Sequence, residues 1–123
     1  MTHLRLTTVT LDSADPRALG RFYAALLDGQ LGADESGWVT VDLGDAPMKL
    51  AFQLEENYVR PVWPAQPGDP QMMVHLEVQV DDLEEAAAHA VACGATVAGF
   101  QPQDDVRVCL DPAGHPFCLW IQT

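Results

Sequence analysis

A chain of 123 residues, 48% hydrophobic and 20% charged, has the make-up of one ordinary globular domain rather than a disordered segment. Its 18 acidic and 6 basic residues give a formal net charge of -12, which excludes nucleic acid and anionic membrane surfaces as expected partners. The sequence has no apolar run of about 18 residues that would span a membrane, and Met1-Thr2-His3-Leu4-Arg5 has no apolar signal region.

The three cysteines, Cys93, Cys109 and Cys118, are an odd number without disulfide-scaffold spacing. Reduced thiols and the absence of a signal region make the cytoplasm the expected location. A core of this size is modest, so a homodimer that buries further surface is expected.

Residues 6–12 alternate, with Val9 and Leu11 on one side and Thr8, Thr10 and Asp12 on the other, the period of a strand. Asp15-Pro16 then suits the start of a helix: the carboxylate accepts free N–H groups and proline fits the first helical position. Leu19, Phe22, Tyr23 and Leu26 form its apolar stripe, and Gly29 is the expected stop. Residues 38–43 and 48–54 have strand character, with Leu50, Phe52 and Leu54 on one face and Ala51, Gln53 and Glu55 on the other. Residues 56–70 carry Pro61, Pro64, Pro67, Gly68 and Pro70 around Tyr58 and Trp63, a long connection of the kind that serves as linker or binding loop.

Residues 73–80 alternate again, Leu76, Val78 and Val80 against His75, Glu77 and Gln79. Asp82-Leu83-Glu84-Glu85 predicts a capped helix that runs to Cys93 and ends at Gly94. Strands are expected near 96–100, 106–110 and 117–122, the last two joined by the turn Asp111-Pro112-Ala113-Gly114. The order is thus β-α-β-β, a connection, then β-α-β-β-β, with a faint third strand implied in the first half. The halves correspond at a constant offset of 67, Thr8 to His75 and Asp15 to Asp82, and such a repeat is the strongest organisational signal in the chain. The expected fold class is α+β: two βαβββ modules, about 5–55 and 72–123, joined by a connection over about 56–71, with helices on one face of antiparallel-rich sheet.

Helices require apolar surface beneath them, so the opposite sheet faces carry Thr8, Thr10, Gln53, His75, Glu77 and Gln79. If Leu110 lies opposite Phe117, then Cys109 faces Cys118 and Arg107 faces Trp120, and these four join the same polar face. A slip of one residue would reverse that assignment. On this face His75 is the candidate acid/base or hydrogen-bonding group, and Arg107 the candidate partner of Glu77 or of a ligand carboxylate. Cys109 and Cys118 with His75 are a minor candidate for a soft metal site. No Gly-x-Ser-x-Gly or glycine-rich phosphate loop points to nucleophilic or phosphate chemistry.

Three segments carry a family resemblance. LDSADPRALGRFYAALLDG, HLEVQVDDLEEAAAHAVACGA and LDPAGHPFCLWIQ resemble, in order, the opening strand and helix, the second-module start and the closing hairpin of glyoxalase-like and bleomycin-resistance-like proteins of the vicinal oxygen chelate superfamily. The resemblance spans nearly the whole chain. It implies paired βαβββ modules that curl a sheet into a cup, usually in a homodimer. The metal ligands of metal-dependent members would fall on Thr8, on Gln53 or else Ala51, on His75, and on Cys118. Where the family has His or Gln, Glu, His and Glu, only His75 matches, so no metal cofactor is expected, a divalent ion being the minor alternative.

The expected function is therefore the binding of a small organic ligand by Thr8, Thr10, Gln53, His75, Glu77, Arg107 and Trp120, with a cationic ligand favoured by the acidic charge. The alternative is a lyase or isomerase that uses His75 as acid/base or an atypical metal site. A third option is an interaction protein whose cup is filled by its own side chains.

Overall fold

The computed structural model describes residues 2–123. The elements run β1 (Thr8–Ser13), α1 (Pro16–Leu27), β2 (Gln30–Asp34), β3 (Trp38–Asp42), β4 (Lys49–Leu54), β5 (Leu76–Gln79), α2 (Leu83–Cys93), β6 (Thr96–Val97), β7 (Val106–Leu110) and β8 (Pro116–Trp120). They form two four-stranded mixed sheets, ordered β1-β4-β3-β2 and β5-β8-β7-β6. Two compact units result, the first ending at Tyr58 and the second spanning Val59–Thr123. Among the described residues no helix is long and apolar enough to cross a membrane.

Both helices start where their caps predict. Asp15 accepts from the Ala18 amide at 3.1 Å with Pro16 following it, and Asp82 accepts from the Glu85 amide at 3.0 Å. α2 ends at Gly94, whose φ of 125° suits glycine. The left-handed residue that ends α1 is Asp28, at φ 53°, one position before the expected Gly29. An aspartate tolerates that region better than most side chains.

In the first unit α1 lays Leu19, Phe22 and Tyr23 onto Val39, Val41, Leu50 and Phe52, all of them buried. Tyr23 stacks on Phe52 with ring centroids 5.5 Å apart. Gly20 lets the helix approach closely: a Cβ there would stand 2.4 Å from Val39 Cγ1. The strand left faint in the sequence is β2. It is largely exposed, so it lacks the apolar alternation that marks a half-buried strand.

In the second unit Ala90, Cys109, Phe117 and Leu119 make the core. The repeat extends to register. β1 and β4 pair in parallel with Val9 beside Leu50, and β5 and β8 do so with Leu76 beside Phe117, the same pair displaced by 67. The strands expected over 73–80 and 96–100 are shorter than predicted, and His75 sits just ahead of β5.

Candidate functional site

The closing hairpin fixes which side chains share a face in the second unit. Observed partners are Leu110 with Pro116, Cys109 with Phe117, Val108 with Cys118, Arg107 with Leu119 and Val106 with Trp120. The expected pairing of Cys109 with Cys118 and Arg107 with Trp120 is therefore corrected by one residue. The cause is the turn. Asp111 donates its amide to the His115 carbonyl at 3.0 Å, and its buried carboxylate accepts from the Ala113 and His115 amides and contacts His115 Nδ1 at 2.8 Å. Gly114 turns the chain at φ 91°. The turn thus closes before Pro116, which opens β8 as its first residue, a strand position where a missing N–H is tolerated.

Because facing residues alternate, the slip moves two expected site residues away. Cys109 lies with Phe117 and Leu119 on the core side and is fully buried. Burial pushes its thiol up to about 11. Arg107 shares that side and turns back at the strand end, donating to the carbonyls of Asp104 and Val106. Neither belongs to the polar face. Trp120 stays on the face of Cys118, paired with Val106 and Gln79.

What the second unit does assemble is His75, Glu77 and Cys118. Parallel pairing sets Glu77 beside Cys118, and His75, two residues earlier, projects from the same side. His75 Nε2 lies 2.6 Å from Glu77 Oε2. That contact is an ion pair when the imidazole is protonated and a hydrogen bond otherwise. The Cys118 thiol is raised to about 11, first by burial and then by the charge and hydrogen bond of Glu77.

These three groups open on a cavity of about 170 Å³ walled by Trp63, Met72, Val106 and Val108. Trp63 reaches it from the proline-rich connection, where it packs on Phe100 with centroids 5.7 Å apart. The connection is held down by Arg60, which donates to the Pro112 carbonyl at 3.0 Å, and by the Val62 amide, which donates to Pro70. Trp63 is the loop aromatic that the sequence offers as a pocket wall, lid or dimer contact, whereas Met72 and Val108 are lining residues that sequence reasoning missed.

In the first unit Thr8, Thr10 and Gln53 share the corresponding face of their own sheet. Register gives the equivalences: Thr10 pairs with Ala51 as Glu77 pairs with Cys118, and Asp12 pairs with Gln53 as Gln79 pairs with Trp120. The counterpart of Cys118 is thus Ala51 rather than Gln53. Thr8, Ala51, His75 and Cys118 amount to a hydroxyl, a methyl, an imidazole and a thiol. They do not fit the four-ligand divalent site of metal-dependent members, whose donors are imidazole and carboxylate or amide oxygens.

The profile of the glyoxalase-like domain family matches residues 8–120. Among curated proteins no sequence matches. Solved structures with the same fold include a glyoxalase/bleomycin resistance protein/dioxygenase family enzyme from Burkholderia phytofirmans PsJN (TM-score 0.72, 18% identity, covering 96% of this chain and 98% of that one). Others are a fosfomycin resistance protein from Mesorhizobium loti (TM-score 0.67, 17% identity, 100% and 95% covered) and an antibiotic binding protein from Streptomyces sp. CB03234 (TM-score 0.64, 21% identity, 100% and 99% covered).

Proposed function

Since the chain belongs to the glyoxalase-like domain family, within the vicinal oxygen chelate superfamily, we propose that it binds a small organic ligand beside His75 without the family's four-ligand metal set. The observation that carries this reading is the cavity itself: an indole, a thioether and two valines as walls, and an imidazole, a carboxylate and a thiol at one side. Apolar walls with a few convergent polar groups are the usual make-up of a ligand site. At about 170 Å³ the space is below the several hundred Å³ of drug-sized sites, so a compact ligand fits best. The Glu77 carboxylate and the net charge of -12 favour an amine or other cationic group over an anion.

A thermal-shift screen of small amines, neutral heterocycles and carboxylic acids on metal-free protein tests this. A ligand at about 100 times its dissociation constant stabilises the fold by about 2.7 kcal/mol, a shift of several degrees. Amines that raise the melting temperature in the native chain but not in Trp63→Ala are the expected result. A panel in which no class does so overturns the proposal.

A second reading, a lyase or isomerase with His75 as acid/base, is favoured by one observation: a carboxylate 2.6 Å from the imidazole, the arrangement that orients a catalytic histidine. NMR spectroscopy together with mass spectrometry of a bound compound after incubation separates the two, since a binder returns it unchanged, a lyase changes its mass and an isomerase changes its structure at constant mass. We further propose a homodimer in a reducing compartment, supported by the exposed Val59, Val62, Met73 and Val74 and by three free thiols. Sedimentation analysis that finds only monomer refutes the dimer.

A further inference from the structure

The misfit of the family's four metal positions leaves one group of donors intact. His75, Glu77 and Cys118 each offer a ligand atom within 4.8 Å of the other two. All three belong to the second unit, and all three border the same cavity. Glu77 is not one of the four family positions. It enters because parallel register places it beside Cys118, and because alternation returns it to the side of His75.

We infer that His75, Glu77 and Cys118 form a three-donor site for a divalent metal of the zinc class, contained within the second unit alone. The donor set decides the class. Imidazole, thiolate and carboxylate together suit zinc and its analogue cobalt, whereas magnesium and calcium require oxygen ligands. Geometry allows it. Bonds of about 2.0–2.3 Å in a tetrahedron place ligand atoms roughly 3.5 Å apart. The 2.6 Å contact of His75 with Glu77 would open by about 1 Å, and the other separations start from no more than 4.8 Å. His75 and Glu77 are exposed, with side chains 36% and 51% accessible, so both rotate freely enough to do this. A coordinated cysteine is held as thiolate by the ion itself.

Three protein donors leave the fourth tetrahedral position vacant. Because His75, Glu77 and Cys118 all line the cavity that Trp63 and Met72 also line, a ligand heteroatom in that cavity could complete the shell of a bound ion. The inference shares its residues with the proposed ligand pocket but does not require it. Thermal shift on metal-free protein tests the pocket, and cobalt titration tests the metal, so either can fail alone.

The experiment is Co²⁺ titration of chelator-stripped full-length protein, followed by absorbance. The expected result is one cobalt per chain, with a thiolate-to-cobalt charge-transfer band in the near ultraviolet. Cys118→Ser abolishes that band, while Cys93→Ser and Cys109→Ala keep it. Glu77→Gln and His75→Gln, both at exposed positions, weaken cobalt affinity at least tenfold, and Thr8→Ala leaves it unchanged. Far-ultraviolet circular dichroism establishes that each variant is folded. No charge-transfer band, a band that survives Cys118→Ser, or unchanged affinity in Glu77→Gln overturns the inference.

Discussion

Replacing Glu77 with glutamine alters the chemistry of a different residue, and by a bounded amount. The Cys118 thiol is raised from 9.0 to about 11 by burial first, then by the charge and hydrogen bond of Glu77, then by Cys109. Alkylation proceeds through the thiolate. At about pH 8 a thiol held at about 11 rather than 9.0 has a thiolate fraction about 100-fold lower than in the unfolded chain. Glu77→Gln removes the negative charge and leaves the burial. Cys118 should therefore react a few-fold to about tenfold faster in the variant, short of the full 100-fold. Cys109, raised by burial alone, should keep its rate. Iodoacetamide labelling of metal-free native protein, resolved by peptide mass spectrometry, measures both sites in one experiment. The sign of the linkage follows from the same shift. The fold favours the protonated thiol, so this stabilisation is complete below about 9, the ordinary value, and is lost as the pH rises towards about 11. Equal acceleration at Cys109 and Cys118, or none at Cys118, would refute the placement of Glu77 beside that thiol.

Three further outcomes follow from the packing. Gly20→Ala should gain about 1 kcal/mol of helix propensity and lose more to overpacking, since its Cβ would meet Val39 Cγ1 at 2.4 Å. A net loss of about 1–2 kcal/mol by urea denaturation is expected, partly relieved by Val39→Ala in the same chain. Asp111→Ala should cost about 3 kcal/mol, because it strips the buried acceptor of the Ala113 and His115 amides. Asp111→Asn, which keeps an acceptor oxygen, should cost less in the same assay. For any ligand found by thermal shift, Trp63→Ala should raise the dissociation constant at least tenfold by calorimetry, and Arg107→Ala should leave it unchanged, since that side chain lies on the other face of β7.

Local signals that depend on one or two residues carried the architecture well. Asp15-Pro16 and Asp82 named both helix starts because an N-cap needs only a carboxylate ahead of free amides. The alternation at residues 8–12 and 76–79 marked the two strands that begin each module. What was not legible depended on a count that sequence pattern does not contain. The hairpin register turned on whether the Asp111 turn closes before Pro116 or Phe117, and hydrophobic alternation in Pro116–Trp120 is compatible with either. That single unit removed Arg107 and Cys109 from the candidate site and left Cys118 with Val108 as its neighbour. Trp63 stood out as an aromatic in a proline-rich connection, but where it docks was not legible, since the fifteen residues from 56 to 70 have no period from which the docking could be argued.

The two modules show why a fold can repeat while a site does not. Parallel pairing of first and last strands has the same register in both, and the helix caps are both aspartates. Those features answer to the helix-covered face, where Leu11, Leu50 and Phe52 in one unit and Phe117 and Leu119 in the other must stay apolar to be buried. On the opposite face Ala51 is buried, but Thr8 and Thr10 in the first unit and His75 and Glu77 in the second keep solvent access, so their identities are less constrained. There Thr8, Thr10 and Ala51 occupy the backbone positions that in the second module hold His75, Glu77 and Cys118. A donor cluster therefore arises in one module from three side-chain identities, with no change of register, and its chemistry can differ from that of any protein sharing only the backbone.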